Sequence, residues 1–267
     1  MRAIIYFIIL LLIGSINCLA QKNIGVKYVE IVNNDFPFKM NDYLFVDLEN
    51  KKSFFLMDYA NQQDIGEISE EIQLQIESSD IFALAGRQED SVFDYLVIDH
   101  KNKKTVRYED FYKTLFKIAD CYPELNWTLT NESKKINDLV CKKAIVEYRG
   151  RTWEAWYAPS INLPYGPYKL HGLPGLIIEA NDIEGRYYYK MAQLSYDVED
   201  FSQTPDDKVY KEVTLKKFLI YEDDFHNLPE DLGSDLSDTS PIFYFLDGSR
   251  ETEFEFDIEF SWEKENQ

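Results

Sequence analysis

Histidine is almost missing from this 267-residue chain, which carries only His100, His171 and His226. Cysteine is as scarce, at Cys18, Cys121 and Cys141. The chain has no G-x-S-x-G elbow, no H-E-x-x-H helix signature and no phosphate-cradling glycine loop, which removes the hydrolase, metalloprotease and P-loop classes those patterns define. No C-x-x-C pair occurs and no histidine stands close to either later cysteine in sequence, so zinc-ribbon chemistry is absent too. No motif calls for a cofactor. Positive charge is also short, with 28 Lys and Arg against 48 Asp and Glu and a net charge of −20. Such a field repels nucleic acid and anionic membrane surfaces, which sets both aside as partners. Beyond residue 20 no apolar run approaches the length of a membrane span.

The first twenty residues pair Arg2 with the apolar stretch 4–13 and end in Cys18-Leu19-Ala20. A basic start, a short apolar middle and small residues at the end predict a secretory signal cleaved after Ala20. A lipoprotein signal with Cys18 as the modified residue is the rival, although Asn17 stands where a small residue is wanted. Residues 21–267 then form a single exported domain. In an oxidising compartment Cys121 and Cys141 read as a disulfide or as two free core thiols, and a bridge over a loop of about twenty residues stabilises by roughly 3 kcal/mol in the chain-entropy model.

What the chain has in quantity is period-two alternation. Phe254, Phe256, Ile258, Phe260 and Trp262 alternate with Glu253, Glu255, Asp257 and Glu259, the pattern of a strand with one buried and one wet face. Segments 43–53 and 95–105 share Tyr, Leu, Asp, Asn, Lys and Lys at a constant offset, each with two strands around a polar turn. A third hairpin turns at Arg149-Gly150-Arg151 and a fourth at Glu184-Gly185. Helical periodicity is confined to 214–225, with a short turn around 61–70, and 227–241 reads as an acidic loop-like insertion. The prediction is a mainly β fold, a large twisted antiparallel sheet of hairpins able to curl into a half-barrel, with one or two short helices.

One tract concentrates the fixed backbone. Residues 166–175 hold Gly166, Pro167, Gly172, Pro174 and Gly175 and run straight into the apolar strand from Leu176 and Ile177. Pro174 at the second and Gly175 at the third position of Leu173–Leu176 predict a type II turn. Nine aromatics lie between Tyr148 and Tyr189, among them Trp153, Trp156, Tyr157, Tyr165 and Tyr168. In the run Tyr187-Tyr188-Tyr189 alternation sends at least one ring to the opposite face from its neighbours. Exposed rings beside a stiff loop make a groove for an extended peptide or an acyl chain, with Trp153, Trp156, Tyr157, Tyr165, Tyr168 and His171 as its lining; ordinary core packing is the competing account.

The hexapeptide Gly172–Ile177, with Gly166-Pro167 before it, "GRTWEAWYAP" at 150–159, "VCKKA" at 140–144 and Trp127 upstream, resembles the GLPGLI family of exported proteins of Bacteroidota-type bacteria. The matching core covers about 127–180, and His171 departs from the apolar or small residue usual there. The resemblance implies a periplasmic or cell-envelope location, genes often beside those of outer-membrane receptors, and no established activity. Envelope proteins and lipid-like ligands become the expected partners. Cys141 corresponds to the family's recurrent cysteine. An enzyme reading would use Cys141 as nucleophile and His171 as base, whereas the alternation around Leu139 and Ile145 makes Cys141 an inert core thiol and the tract leaves His171 an exposed turn-flanking residue. The carboxylate row 253–259 reads as a solvated face, and the Asp-rich loop 231–238 as a weak cation ligand without EF-hand spacing.

Overall fold

The structure, a computed structural model, describes residues 23–33, 37–58, 62–65, 94–111, 114–136, 138–196, 198 and 210–226. The expected signal, most of the turn at 61–70, the insertion 227–241 and the alternating strand 253–262 lie outside these residues.

Among the described residues thirteen strands form one mixed, mostly antiparallel sheet that stays open, accompanied by one short helix. Two three-strand meanders come first: β1 (Asn23–Val32), β2 (Phe38–Asp47) and β3 (Lys52–Met57) run in series, then β5 (Asp94–Asp99), β6 (Lys104–Phe111) and β7 (Thr114–Asp120). The two-residue β4 (Gln63–Asp64) pairs with β2 off the main path. The second half supplies β8 (Thr128–Ile136), β9 (Leu139–Tyr148), β10 (Arg151–Ala158), β11 (Leu176–Asp182) and β12 (Tyr187–Ser195), and then β13 (Lys211–Thr214) and helix α1 (Leu215–His226). The spatial order is β13-β7-β6-β5-β3-β2-β1-β12-β11-β10-β9-β8. One pairing departs from the all-antiparallel expectation: β13 lies parallel to β7, its four residues matched to Phe116–Ala119.

The hairpin turns explain why the two early segments look alike. In the first, the Asp47 carboxylate accepts from Asn50 N at 2.9 Å and Nδ2 at 2.6 Å, and Lys51 takes φ +55°. In the second, Asp99 accepts from Asn102 N and Nδ2, both at 2.8 Å, and Lys103 takes φ +51°. The shared Asp, Asn and Lys are thus one turn built twice, an Asx-type closure that fixes strand register. β3 pairs with β5, so the hairpins lie side by side in the sheet. At the third turn Arg149 and Gly150 both have positive φ, +47° and +79°, the backbone that matches strand twist in a two-residue hairpin.

The register sorts side chains into rows. Across five strand pairings Val26, Leu44, Phe55, Leu96, Arg107 and Ile118 stand opposite one another, and all but Arg107 are buried apolar residues. This inner face carries the main core, which continues through Ala144, Trp153, Ala155, Ala180 and Tyr189. A second cluster of Tyr43, Phe45, Phe54, Leu56, Tyr95 and Tyr108 covers the opposite face of β2–β6. At the far end α1, its first turn capped by Thr214 Oγ1 accepting from Lys217 N, sets Phe218 against Phe111 and Phe116 at ring distances of 5.7 and 5.2 Å.

Candidate functional site

The tract between β10 and β11 folds back against the inner face instead of standing out as a surface loop. Tyr165, Tyr168, Leu170 and Leu173 are buried members of the main core, and Tyr168 meets Phe55 edge-on at 6.1 Å. Its backbone is tied at almost every step: Gly172 N donates to Pro164 O (2.9 Å), Leu176 N to Ile161 O (3.0 Å) and Ile177 N to Tyr165 O (3.0 Å). The type II turn expected at Leu173–Leu176 does not form. Gly175 N donates to Leu173 O at 2.8 Å, which closes a three-residue turn around Pro174, because the Leu176 N–H is already committed to Ile161. The glycines are required by space as well as by angle. A Cβ on Gly166 would stand 2.7 Å from Leu170 O, and one on Gly175, whose φ is +155°, would press into the Ala158 carbonyl.

Three ion pairs fasten this tract and its flanks. Lys169, only 2% exposed, pairs with Asp120 at 3.1 Å, and Arg149 adds a second cation to the same carboxylate at 2.6 Å. Both cations hold the Asp120 carboxyl below its usual range against the opposing push of burial. Arg151, fully buried, reaches Asp182 at 3.0 Å. Asp182 in turn accepts the Arg186 and Tyr187 N–H groups and so closes the β11–β12 turn.

His171 is buried, contrary to the exposed position expected of it. Its ring lies 4.8 Å from that of His100 and 5.2 Å from Tyr122, and His100 also meets Tyr165 at 5.2 Å. The His171 side chain bonds to the Pro123 backbone, and the His171 carbonyl accepts from Trp127 Nε1 at 2.8 Å. Ser53 Oγ and the Tyr122 hydroxyl engage the two nitrogens of His100 at 2.9 and 3.2 Å. Burial pulls both imidazoles down to about 4, so they are neutral near pH 7. Two of the three histidines therefore form a packed joint between the tract, the β5–β6 turn and the segment 121–127.

Of the rings expected to line a groove, Trp153, Tyr157, Tyr165 and Tyr168 are buried and only Trp156 is half-exposed. Trp156 sits on the other face, in a row that the register draws across four strands: Lys143, Trp156, Glu179 and Lys190. The next row is Ile145, Glu154, Asn181 and Tyr188. Lys134 reaches in from β8, 4.4 Å from the Trp156 ring and 2.6 Å from Glu179, while Lys143 pairs with Glu154 at 2.7 Å. Tyr188 is the ring of its trio turned away from the core, as alternation requires; Tyr187 and Tyr189 are buried. This outer face offers aromatic area edged by ammonium groups that are already paired, a surface suited to binding.

The two later cysteines are free thiols: Cys121 is exposed in the segment after β7 and Cys141 is buried in β9. Burial, seconded by Glu179, pushes the Cys141 thiol up, the wrong direction for a nucleophile. Its surroundings are Leu139 O, Lys134 and Glu179, whereas His171 belongs to the joint described above, so the structure does not assemble the Cys141–His171 pair. Iodoacetamide at pH 7.5 is expected to modify Cys121 and to leave Cys141 untouched until the protein is unfolded. Peptide mass mapping checks this, and rapid modification of Cys141 in the folded protein would restore the thiol-enzyme reading.

No protein-family model matches the chain, and no curated protein matches it. Among solved structures it is similar to PNGF-II in two crystal forms, P21 and C2, at 14% identity, covering 74% of this chain and 32% of that one, with TM-scores of 0.48 and 0.45. It is also similar to a domain assigned to outer membrane lipoprotein sorting from Vibrio parahaemolyticus, at 8% identity over 75% of this chain and 92% of that one, with a TM-score of 0.24. The chain thus spans about a third of the length of PNGF-II, and at these levels none of the three likenesses bears on activity.

Proposed function

We propose that this chain is an exported cell-envelope protein of the GLPGLI type that works by binding, without catalysis of its own. Its docking surface is the outer face of β8–β12, and its partner is a segment of another envelope protein. The observation that carries this reading is the pair of rows Lys143–Trp156–Glu179–Lys190 and Ile145–Glu154–Asn181–Tyr188. They turn one ring from each aromatic stretch out of the core and surround it with paired charges. The tract before β11 supports this surface from behind: its rings fill the inner face, which stiffens β10 and β11 and so holds Trp156 and Glu179 in place. A lipid-like ligand is the second reading from the sequence; the filled inner face beside Tyr165 and Tyr168 favours the protein segment.

Photo-crosslinking tests the proposal. A benzophenone amino acid in place of Trp156, expressed in envelope-bearing cells, is expected to give one discrete protein adduct that Lys190→Glu abolishes. The same probe at Lys101, exposed in the β5–β6 turn, is expected to give none. Equal adducts at both positions, or a lipid adduct only, would overturn the protein-segment reading.

A further inference from the structure

A second row on the inner face is chemically unlike the first. Tyr28, Asp42, Met57 and Asp94 stand opposite one another across β1, β2, β3 and β5. Asp94 precedes Tyr95, whose partner Tyr108 precedes Glu109, and Glu109 itself faces Phe116 of β7. Glu30, two positions from Tyr28 and opposite Tyr189, and Asp58, just past β3, border the row. Glu30, Asp42, Asp58 and Glu109 are all buried. Over β1–β6 the inner face and its border thus gather five carboxyl groups.

Among the described residues, positive charge near the row comes from Arg107 and Lys211. Arg107 pairs with Glu109 and also acts on Asp94. Lys211, from β13, lies over the Phe116 ring at 5.4 Å. Asp110 bonds through its N–H to Asp94 Oδ1 at 3.1 Å and adds negative charge beside it. Around the other end stand Tyr28, Tyr187 and Tyr189, which burial keeps protonated. Both Asp42 carboxyl oxygens are sealed from solvent; the carboxyl accepts from the Asp58 backbone N–H, and the Asp42 and Glu30 carboxyls bond to each other. Two carboxyl groups in contact must share a proton, since both cannot ionise at this distance in a poorly solvated interior.

We propose that this inner-face row is a proton-loaded switch: protonated, it lets β2, β3, β5 and β6 hold a closed apolar face, and its ionisation as pH rises loosens that face while the β9–β10 half stays shut. The direction follows from linkage. Burial raises the Asp42 carboxyl well above its usual range, with the Glu30 charge adding to the rise, and lifts Asp94 to about 6 and Glu109 to about 7. The folded chain therefore holds protons that the unfolded chain has released. The stabilisation is complete below the ordinary carboxyl range near pH 4 and is lost as pH climbs through 6 to 7. Each pH unit over which one extra proton is held changes the opening equilibrium about tenfold.

The test is hydrogen exchange by mass spectrometry on the full chain between pH 5.5 and 8, corrected for intrinsic exchange, with β9–β10 as internal reference. Protection across β2, β3 and β5 is expected to fall at least tenfold relative to β9–β10 as pH rises. In Glu109→Gln with Asp42→Asn and Asp94→Asn, where each amide keeps the shape of the protonated acid, the fall is expected to shrink to under about twofold. Unchanged wild-type protection, or an equal fall in the variant, would overturn the switch. Carboxyl-carbon NMR of the wild type decides the matter if the variant does not fold: a Glu109 titration near neutrality supports the switch, and titration of every buried carboxyl below pH 5 rules it out.

Discussion

Gly175→Val is expected to cost the protein at least about 4 kcal/mol, the range reserved for overlaps the structure cannot relax. The new Cβ would meet Ala158 O, Ala158 C at 2.7 Å and Pro159 Cα at 3.0 Å, all of them backbone atoms where β10 enters the tract. A flexible side chain could swing aside; this backbone is held by Ile161 N donating to Ala158 O and by the β10–β11 ladder. The φ of +155° adds strain for any L residue. Gly172 is the internal control, because its φ is +89° but a Cβ there meets nothing within 4 Å. Gly172→Ala is therefore expected to lose only about 1–2 kcal/mol, the conformational term alone. Urea unfolding followed by circular dichroism separates the two, and equal losses would mean that the clash at Gly175 is relieved by movement of the tract.

Arg151→Ala is expected to lower the unfolding free energy by about 3–5 kcal/mol, the usual result of leaving a buried charge without its partner. Asp182 is as buried as Arg151, and its Oδ1 is occupied by two backbone donors while Oδ2 faces the guanidinium. The outer contact to Glu184, which is 59% exposed, adds little. Adding Asp182→Asn to Arg151→Ala is expected to recover about 1–2 kcal/mol, because the amide keeps an acceptor for the turn and removes the orphaned charge. Denaturant titration of the two variants tests this. A loss below about 1 kcal/mol for Arg151→Ala would show that water reaches Asp182 once the guanidinium is gone.

The parts of this fold that were legible in the sequence are those fixed by local chemistry. The Asp–Asn–Lys turns, the Arg149-Gly150 reversal and the 214–225 helix depend on residues within a few positions of one another. The Leu173–Leu176 turn was misread because the N–H that would close a type II turn is captured by Ile161, which comes close only when the tract folds back. His171 was misplaced for a similar reason: its burial is made by His100 and Tyr122, on other segments. Of the rings expected to line a groove at 153–168, most face the core, because strand alternation and the fold-back of the tract both turn them inward. The acidic row escaped notice because its members are spread from Glu30 to Glu109 on separate strands. A signal was present all the same, since Asp42 shares the phase of Met40, Leu44 and Val46, all buried, and a carboxyl on the buried phase of a strand asks for an explanation.

The strand order has a consequence for how the molecule comes into being. β1 is the earliest of the described strands to be made, yet it ends up deep within the sheet, zipped to β2 on one flank and to β12 on the other. Its Tyr28 hydroxyl finds its acceptor, Ile177 O, 149 residues further on. Until the last third of the domain exists, the growing chain carries a bare hydrogen-bonding edge beside an apolar surface, an adhesive state prone to pairing with strangers. Closure is thus a late, long-range event of the kind that makes folding slow, and a nascent polypeptide ending short of Tyr187 has no finished form to settle into.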